Sequence, residues 1–222
     1  MLESLVGAGF VPRLVVSEES AEALELRARQ ARMLGEAPGF APATPAEDIC
    51  AARGIPLLTV ADHNDARSVA ALREADVDLV VLGDTRLVRP EIIAEIPHGI
   101  VNVHPGVIPE VRGNNPYIWA VIHGLPQGAT SHLINAGVDR GPVLQVRRLP
   151  SPAADDLPSL IRRVNELCAE VVVSTLEDLV GGRAVTTAQP PDDRLTFRKA
   201  RPEIWSLAAQ LLAERAAKRV AA

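Results

Sequence analysis

Residues 101–141 read VNVHPGVIPEVRGNNPYIWAVIHGLPQGATSHLINAGVDRG, and this stretch decides the fold. An apolar run at 100–103 has the composition of a buried strand, and Pro105-Gly106 ends it. A Gly/Pro-rich turn follows, then a short helical segment, a second strand over 131–134 and an Asp-x-Gly turn. Asn102 and His104 are two apart on the first strand, so both side chains leave the same face. His104 falls at the carboxyl end of that strand, the edge at which open α/β sheets bind ligands.

Outward from this segment, short apolar runs at 14–16, 56–60, 79–82 and 143–146 predict further strands. Helical patterns lie between the early ones, at 18–33, at 46–53 after a Thr-Pro start, and at 65–75 with Asn64 and Asp65 as caps. This alternation predicts an α/β fold, an open, mostly parallel Rossmann-like sheet with helices on both faces. Residues 155–180 carry Leu157, Leu160, Ile161, Val164, Leu167, Val171, Val172, Leu176 and Leu179 at helical spacing, and Gly181-Gly182 supplies the stop. One domain is expected over 1–187, then a linker and C-terminal helix over 188–222, the helix spanning 202–220. The Gly/Pro/Ala-rich segment 35–45 reads as a loop, a connector or a lid. The chain opens on a helical segment, 2–8, where a doubly wound sheet normally starts with a strand. A missing first strand is therefore expected.

The chain has 222 residues, 47% apolar and 23% charged, ordinary for a globular protein. Its formal charge of −5 argues against a dedicated nucleic-acid binder, although Arg194, Arg198, Lys199 and Arg201 form a local basic patch. No apolar run approaches the ~20 residues a membrane helix needs, and the start lacks the pattern of a signal peptide. A cytoplasmic protein is the expectation. Cys50 and Cys168 have no CxxC partner or ligand spacing, so two buried reduced thiols are expected and no metal.

Taken singly, the chemistry-bearing residues have bland readings. An Asn and a His at a strand end satisfy loop hydrogen bonds, and Asp139 before Arg140-Gly141 is a turn former. Thr130 and His132 share one face of the second strand. Together, however, Asn102-x-His104-Pro105-Gly106, Pro109, Arg112-Gly113, Asn115-Pro116, Trp119-Ala120, Gly124, Gly128-x-Thr130-x-His132 and Asp139-x-Gly141 form a pattern that resembles the folate-dependent formyltransferases. The resemblance is close over 101–144 and looser over 10–180. The wording around Gly113-Asn114-Asn115-Pro116 looks most like members that formylate amino sugars and other small amines.

The resemblance implies that 10-formyltetrahydrofolate gives its formyl group to a primary amine of a small metabolite through a tetrahedral intermediate. The substrate amine is then the nucleophile, and the protein must stabilise the oxyanion. Asn102 and a protonated His104 would donate to it, each such donor typically contributing ~2.7–4 kcal/mol to lowering the barrier. Asp139 would favour the charged His104 and accept the amine proton, with His132 orienting it. Leu82, Gly83, Asp84, Thr85, Arg86 and Leu87, with Ile108, would line the folate site, and Asn135, Ala136, Gly137, Val138 and Gly141 its second wall. Arg112, Gly113, Asn114, Asn115 and Pro116 would bind the acceptor. The implied partners are small molecules, not nucleic acid or membrane, with room for a homodimer. Residues 183–222 are too few for the RNA-binding barrel of the initiator-tRNA enzyme, so that acceptor is not expected. A hydrolase of the same donor and a non-catalytic folate-binding protein are the alternatives.

Overall fold

The computed structural model describes residues 1–35, 41–83, 85–191 and 196–220. The expected α/β architecture is present, with helices interleaved among short strands. In chain order it begins α1 (Leu2–Gly7), β1 (Val15–Glu18), α2 (Ala21–Gly35), α3 (Ala46–Arg53), β2 (Leu57–Val60), α4 (Ala66–Glu74), β3 (Val80–Val81), α5 (Pro90–Ile93) and β4 (Ile100–His104). It continues with β5 (Arg112–Gly113), α6 (Pro116–His123), β6 (Gly128–Leu133), β7 (Val143–Arg148), α7 (Leu157–Val180), β8 (Thr196–Phe197) and α8 (Pro202–Val220).

The strands fall into three ladders: β1-β2, β3-β4-β6-β7 and β5-β8. β1 with β2, β3 with β4 and β5 with β8 run parallel, whereas β4-β6 and β6-β7 are antiparallel. Among the described residues β1 pairs only with β2, and β3 only with β4. Arginines join the first two ladders instead. Arg13 donates to the Ala75 carbonyl at 3.4 Å before the strands, and Arg86 donates to Glu18 at 2.9 Å beyond them.

The core sits where α7 crosses the four-stranded ladder. Asp156 caps α7 by accepting from the Ser159 amide at 2.8 Å, which moves the helix start from the expected 155 to Leu157. Leu160, Ile161, Val164, Leu167, Cys168, Val171, Val172 and Leu176 are buried along one stripe of it. Each fully buried aliphatic side chain there contributes about 1.5–3 kcal/mol as an upper figure. Cys50 and Cys168 are both buried thiols, with no disulfide among the described residues. Ala208 and Leu212 of α8 join the same cluster, so the tail packs into the main core. Of the loop at 35–45, residues 36–40 lie outside the described residues, as do Asp84 and Arg194; 41–45 is irregular.

The faces of β4 follow from the two-residue period of a strand. Val103 packs into the core under α7, and on β6 Ser131 accepts from Thr175 of α7 at 2.7 Å, a buried pair of hydroxyls. Asn102 and His104 therefore project from the opposite face, together with Ile100, which packs against Ile92 and Ile96. Antiparallel pairing places His132 across from Asn102, and Thr130 across from His104. A register shift between Ser131 and His132 on the β7 side bends the ladder beside this group.

Candidate active site

Four side chains converge on that face. Asn102 Nδ2 lies 3.1 Å from His132 Nε2. His132 Nε2 is 3.5 Å from Asp139 Oδ1, and His104 Nδ1 is 3.4 Å from Asp139 Oδ2. The two histidines are buried and Asp139 nearly so, whereas Asn102 is half-buried at the open end. Asp139 reaches the group from the β6–β7 loop with a left-handed backbone, φ 53°, and its carboxylate accepts from the Gly113 amide at 2.7 Å.

Hydrogen bonds fix the two rings. His132 Nδ1 lies 3.1 Å from the Leu133 carbonyl, which assigns the proton to Nδ1 and makes Nε2 the acceptor for Asn102. One N–H of the Asn102 amide is thereby used, and its second remains to serve an incoming oxygen. His104 Nε2 lies 2.8 Å from the Val111 carbonyl and donates to it. The expected role of His104 as an oxyanion donor is therefore corrected: Nε2 is committed to the backbone, and Nδ1 faces Asp139.

The expected charge state of His104 is corrected as well. Burial is the largest influence and holds the imidazole below its ordinary value, outweighing Asp139 and the Val111 carbonyl, which pull it up. Burial, the largest influence, also works against ionised Asp139, yet its carboxyl lies below the usual range, and the Gly113 amide that donates to it is one cause. The resting site is a neutral imidazole beside a carboxylate. A proton delivered between Nδ1 and Oδ2 would be welcome to both.

Glycines make these approaches possible. A Cβ on Gly106 would lie 2.9 Å from His104 Nε2 and 2.7 Å from the Pro116 Cβ. On Gly113, with φ 96°, it would come within 2.1 Å of the Phe197 carbonyl oxygen, where β5 meets β8.

The segment expected to bind the acceptor is committed elsewhere. Arg112 is 1% exposed, and its guanidinium donates to Gln189 Oε1 at 2.9 and 2.6 Å. The Asn114 amide donates to the Phe197 carbonyl, and Asn115 Oδ1 accepts from the Ala200 amide. Pro116 is buried at the start of α6. This stretch is a clamp for the tail, with only the exposed Asn114 side chain presented to solvent. Gln189 gave no local signal in the sequence, lying in a Pro-rich stretch whose partners are distant along the chain.

Of the expected folate-lining residues, half-buried Leu82 and exposed Gly83 and Thr85 follow β3, beside the carboxyl end of β4. Exposed Asn135, Ala136 and Val138 lie on the β6–β7 loop with Gly137, whose amide donates to Asn135 Oδ1. Three others are used differently. Ile108 is buried, with its amide donating to Thr130. Arg86 pairs with Glu18 and Asp62. Leu87 gives its carbonyl to Asn64 at 3.0 Å, leaving its side chain 72% exposed. Gly141 is buried, and a Cβ there would strike the Leu133 carbonyl.

Glu18, Asp62 and His63 bring ligand-type atoms close together. The Arg86 guanidinium donates to both carboxylates, so a cation already occupies that position. Glu18 is 8% exposed. Burial would raise its pKa, but hydrogen bonds from Ser20, His63 and Arg86 bring it down to about 2.

A helix-flanked sheet thus brings an amide, two imidazoles and a carboxylate together on one face of β4 and β6. The formyl transferase family profile matches residues 14–176, and the chain belongs to that family. It is 32% identical over 154 residues to a methionyl-tRNA formyltransferase of Geobacter sulfurreducens, covering 68% of this chain and 48% of the relative. It is 34% identical over 160 residues to the enzyme of that name from Roseiflexus, covering 71% and 49%. The chain thus spans about half the length of these curated relatives. Among solved structures, a phosphoribosylglycinamide formyltransferase from Anaplasma phagocytophilum has the same fold, with TM-score 0.63, 23% identity and coverage of 89% and 92%. The formyltransferase PseJ from Anoxybacillus kamchatkensis, solved with a formamido sugar nucleotide and tetrahydrofolate, matches at TM-score 0.58 and 17% identity, covering 84% and 86%. The fold lies within one family whose members, by their names, formylate different acceptors. Among the described residues no helix is long and apolar enough to cross a membrane.

Proposed function

We propose that this protein transfers a formyl group from 10-formyltetrahydrofolate to a primary amine of a small metabolite. The observation that carries this reading is the convergence of Asn102, His104, His132 and Asp139 around one face of β4 and β6.

In this reaction the amine attacks the formyl carbon, a C–N bond forms, and the carbonyl oxygen becomes negative. The second N–H of Asn102, held in place by His132, donates to that oxygen. The attacking nitrogen must lose a proton. The gap between His104 Nδ1 and Asp139 Oδ2 receives it, since the neutral ring offers a lone pair and the carboxylate a charge. The same proton is then available to the departing folate nitrogen as its C–N bond breaks. Leu82, Gly83 and Thr85 after β3, with residues 135–138 of the β6–β7 loop, are the source of backbone donors and acceptors for a planar, hydrogen-bonding ring in this reading.

The net charge of −5 supports a small acceptor over a polyanion such as tRNA. The test is release of tetrahydrofolate from 10-formyltetrahydrofolate by purified protein, alone and with pooled amino sugars, glycinamide ribonucleotide or methionyl-tRNA. Stimulation by amino sugars is expected. Amine-independent release would replace the transferase reading with a hydrolase, stimulation only by methionyl-tRNA would overturn the small acceptor, and binding without turnover would make this a folate-binding protein.

A further inference from the structure

Gln189 lies in the stretch that reads as linker, yet its amide is fully engaged at the site. Its Oε1 accepts from Nε and from a terminal nitrogen of Arg112, at 2.9 and 2.6 Å. Its Nε2 donates to the Asp139 carbonyl at 2.9 Å and to the Gly141 carbonyl at 2.7 Å. The amide can take only this orientation, because a flip would set N–H groups against a guanidinium and an oxygen against two carbonyls.

The turn it grips is one that needs holding. Asp139 is a non-glycine residue with φ 53°, in the left-handed region that L side chains rarely adopt. Its carboxylate must meet Gly113 N, His104 Nδ1 and His132 Nε2 at once. Two carbonyls of the turn are tied to Gln189, and Gln189 is tied to a buried cation on β5. Arg112 sits in β5, whose next residue, Gly113, donates to the Asp139 carboxylate. The turn is thus held by its backbone and by its side chain from the same two-residue strand.

We propose that Gln189 is a positioning residue for Asp139, its amide locking the 139–141 turn to buried Arg112 so that the carboxylate faces His104 and His132. The tail is then part of the active site and not merely a tether. The catalytic consequence rests on the transferase reading above; the geometric claim does not.

The titratable and charged groups around Asp139 are His104 on β4, His132 on β6, Arg112 on β5 and Arg140 in its own turn. Asp139 raises the His104 midpoint, so a displaced carboxylate lowers it. The experiment is an NMR titration of labelled imidazoles, five in this chain, with His104 assigned by its loss in His104→Gln. Asp139→Asn sets the scale. Gln189→Met keeps the length of the side chain without its amide, and is expected to move the His104 midpoint down by half or more of the Asp139→Asn displacement. If Gln189→Met fails to fold because Arg112 loses its acceptor, the double variant Arg112→Met/Gln189→Met carries the test. Removing the Arg112 charge by itself raises a nearby imidazole, so a fall in the double variant reports the carboxylate. An unchanged or raised midpoint in a cooperatively melting variant would overturn the proposal, since a packing role lowers the melting temperature and leaves the titration in place. A wild type that turns over no formyl donor sinks the transferase reading and leaves this titration unaffected.

Discussion

The β1-β2 ladder and the β4-β6-β7 ladder are built from the same polypeptide by different means. β4 and β6 are buried nearly throughout, between α7 on one side and the Ile92–Ile96–Ile100 cluster on the other. β1 and β2 are half-exposed, and the small core beside them is Val6, Ile49, Cys50 and Ile55. Groups that must hold a charge or a proton in a fixed place sit on the buried ladder. The exposed ladder holds the loop after β3 through polar contacts: Arg86 to Glu18, and Leu87 to Asn64. Rigid framing surrounds the proposed reactive cluster, and the softer half carries the segment proposed as one wall of the folate site.

The largest expected effect separates the halves by turnover. Asp139→Asn should lower kcat by ~10²–10⁴ in single-turnover release of tetrahydrofolate, the usual range for a proton-transfer group. Asn102→Ala should lower it by ~10²–10³, as for an oxyanion donor. Asp62→Asn, in the turn just beyond β2, should instead raise KM for the folate and leave kcat close to wild type. An equal loss of kcat in that variant would erase the distinction.

Stability should divide in the same way. Leu160→Ala, at a fully buried position on α7, should cost about 2–5 kcal/mol in urea unfolding. Leu57→Ala on β2, where the side chain is 37% exposed, should cost about 1 kcal/mol or less. Comparable losses would mean that the two halves share one core.

Glycine substitutions sharpen the contrast at the backbone. Gly106→Ala drives a methyl into His104 and Pro116 and should cost about 1–3 kcal/mol, with a fall in kcat. Gly54→Ala meets nothing within 4 Å and bears only the left-handed strain of φ 64°, about 1–2 kcal/mol, with turnover unchanged.

The smallest effect is the acid response of Glu18. Its folded pKa, about 2, is below the ordinary 4.5, so it contributes stability that is fully present above the ordinary value. That contribution is withdrawn as pH falls from about 4.5 toward about 2. Amide exchange of β1 and β2 should quicken across this window before that of β4 and β6, and Glu18→Gln should flatten the response.

What the sequence made legible follows from where its forces act. α3 and α8 have the bounds their patterns predict, because local apolar spacing and a proline start define them. The alternation of Asn102 and His104 along a strand placed them on one face, and Asp139 and His132 meet them there. β6 starts at Gly128, earlier than its apolar run, because Gly-Ala-Thr-Ser is buried between two strands and carries no aliphatic signal. β5 and β8 were not legible: each spans two residues, and Arg112 pairs with Thr196 across a long stretch of chain. Arg112 read as a residue that binds the acceptor amine because nothing local marks Gln189 as its partner. His104 read as charged because its neighbours are visible in a motif and its burial is not.

Arg13 and Arg86 fasten β1 to the segments around β3 by flexible side chains, where peptide groups pair in the rest of each ladder. A guanidinium can swing and slide on its carboxylate by an ångström and keep its bond, which a peptide ladder cannot do. Ions in solution weaken such exposed fastenings and barely touch buried ones. Ionic strength is therefore a selective handle on this molecule, loosening the segment that carries Thr85 while the buried side chains on β4 and β6 keep their arrangement.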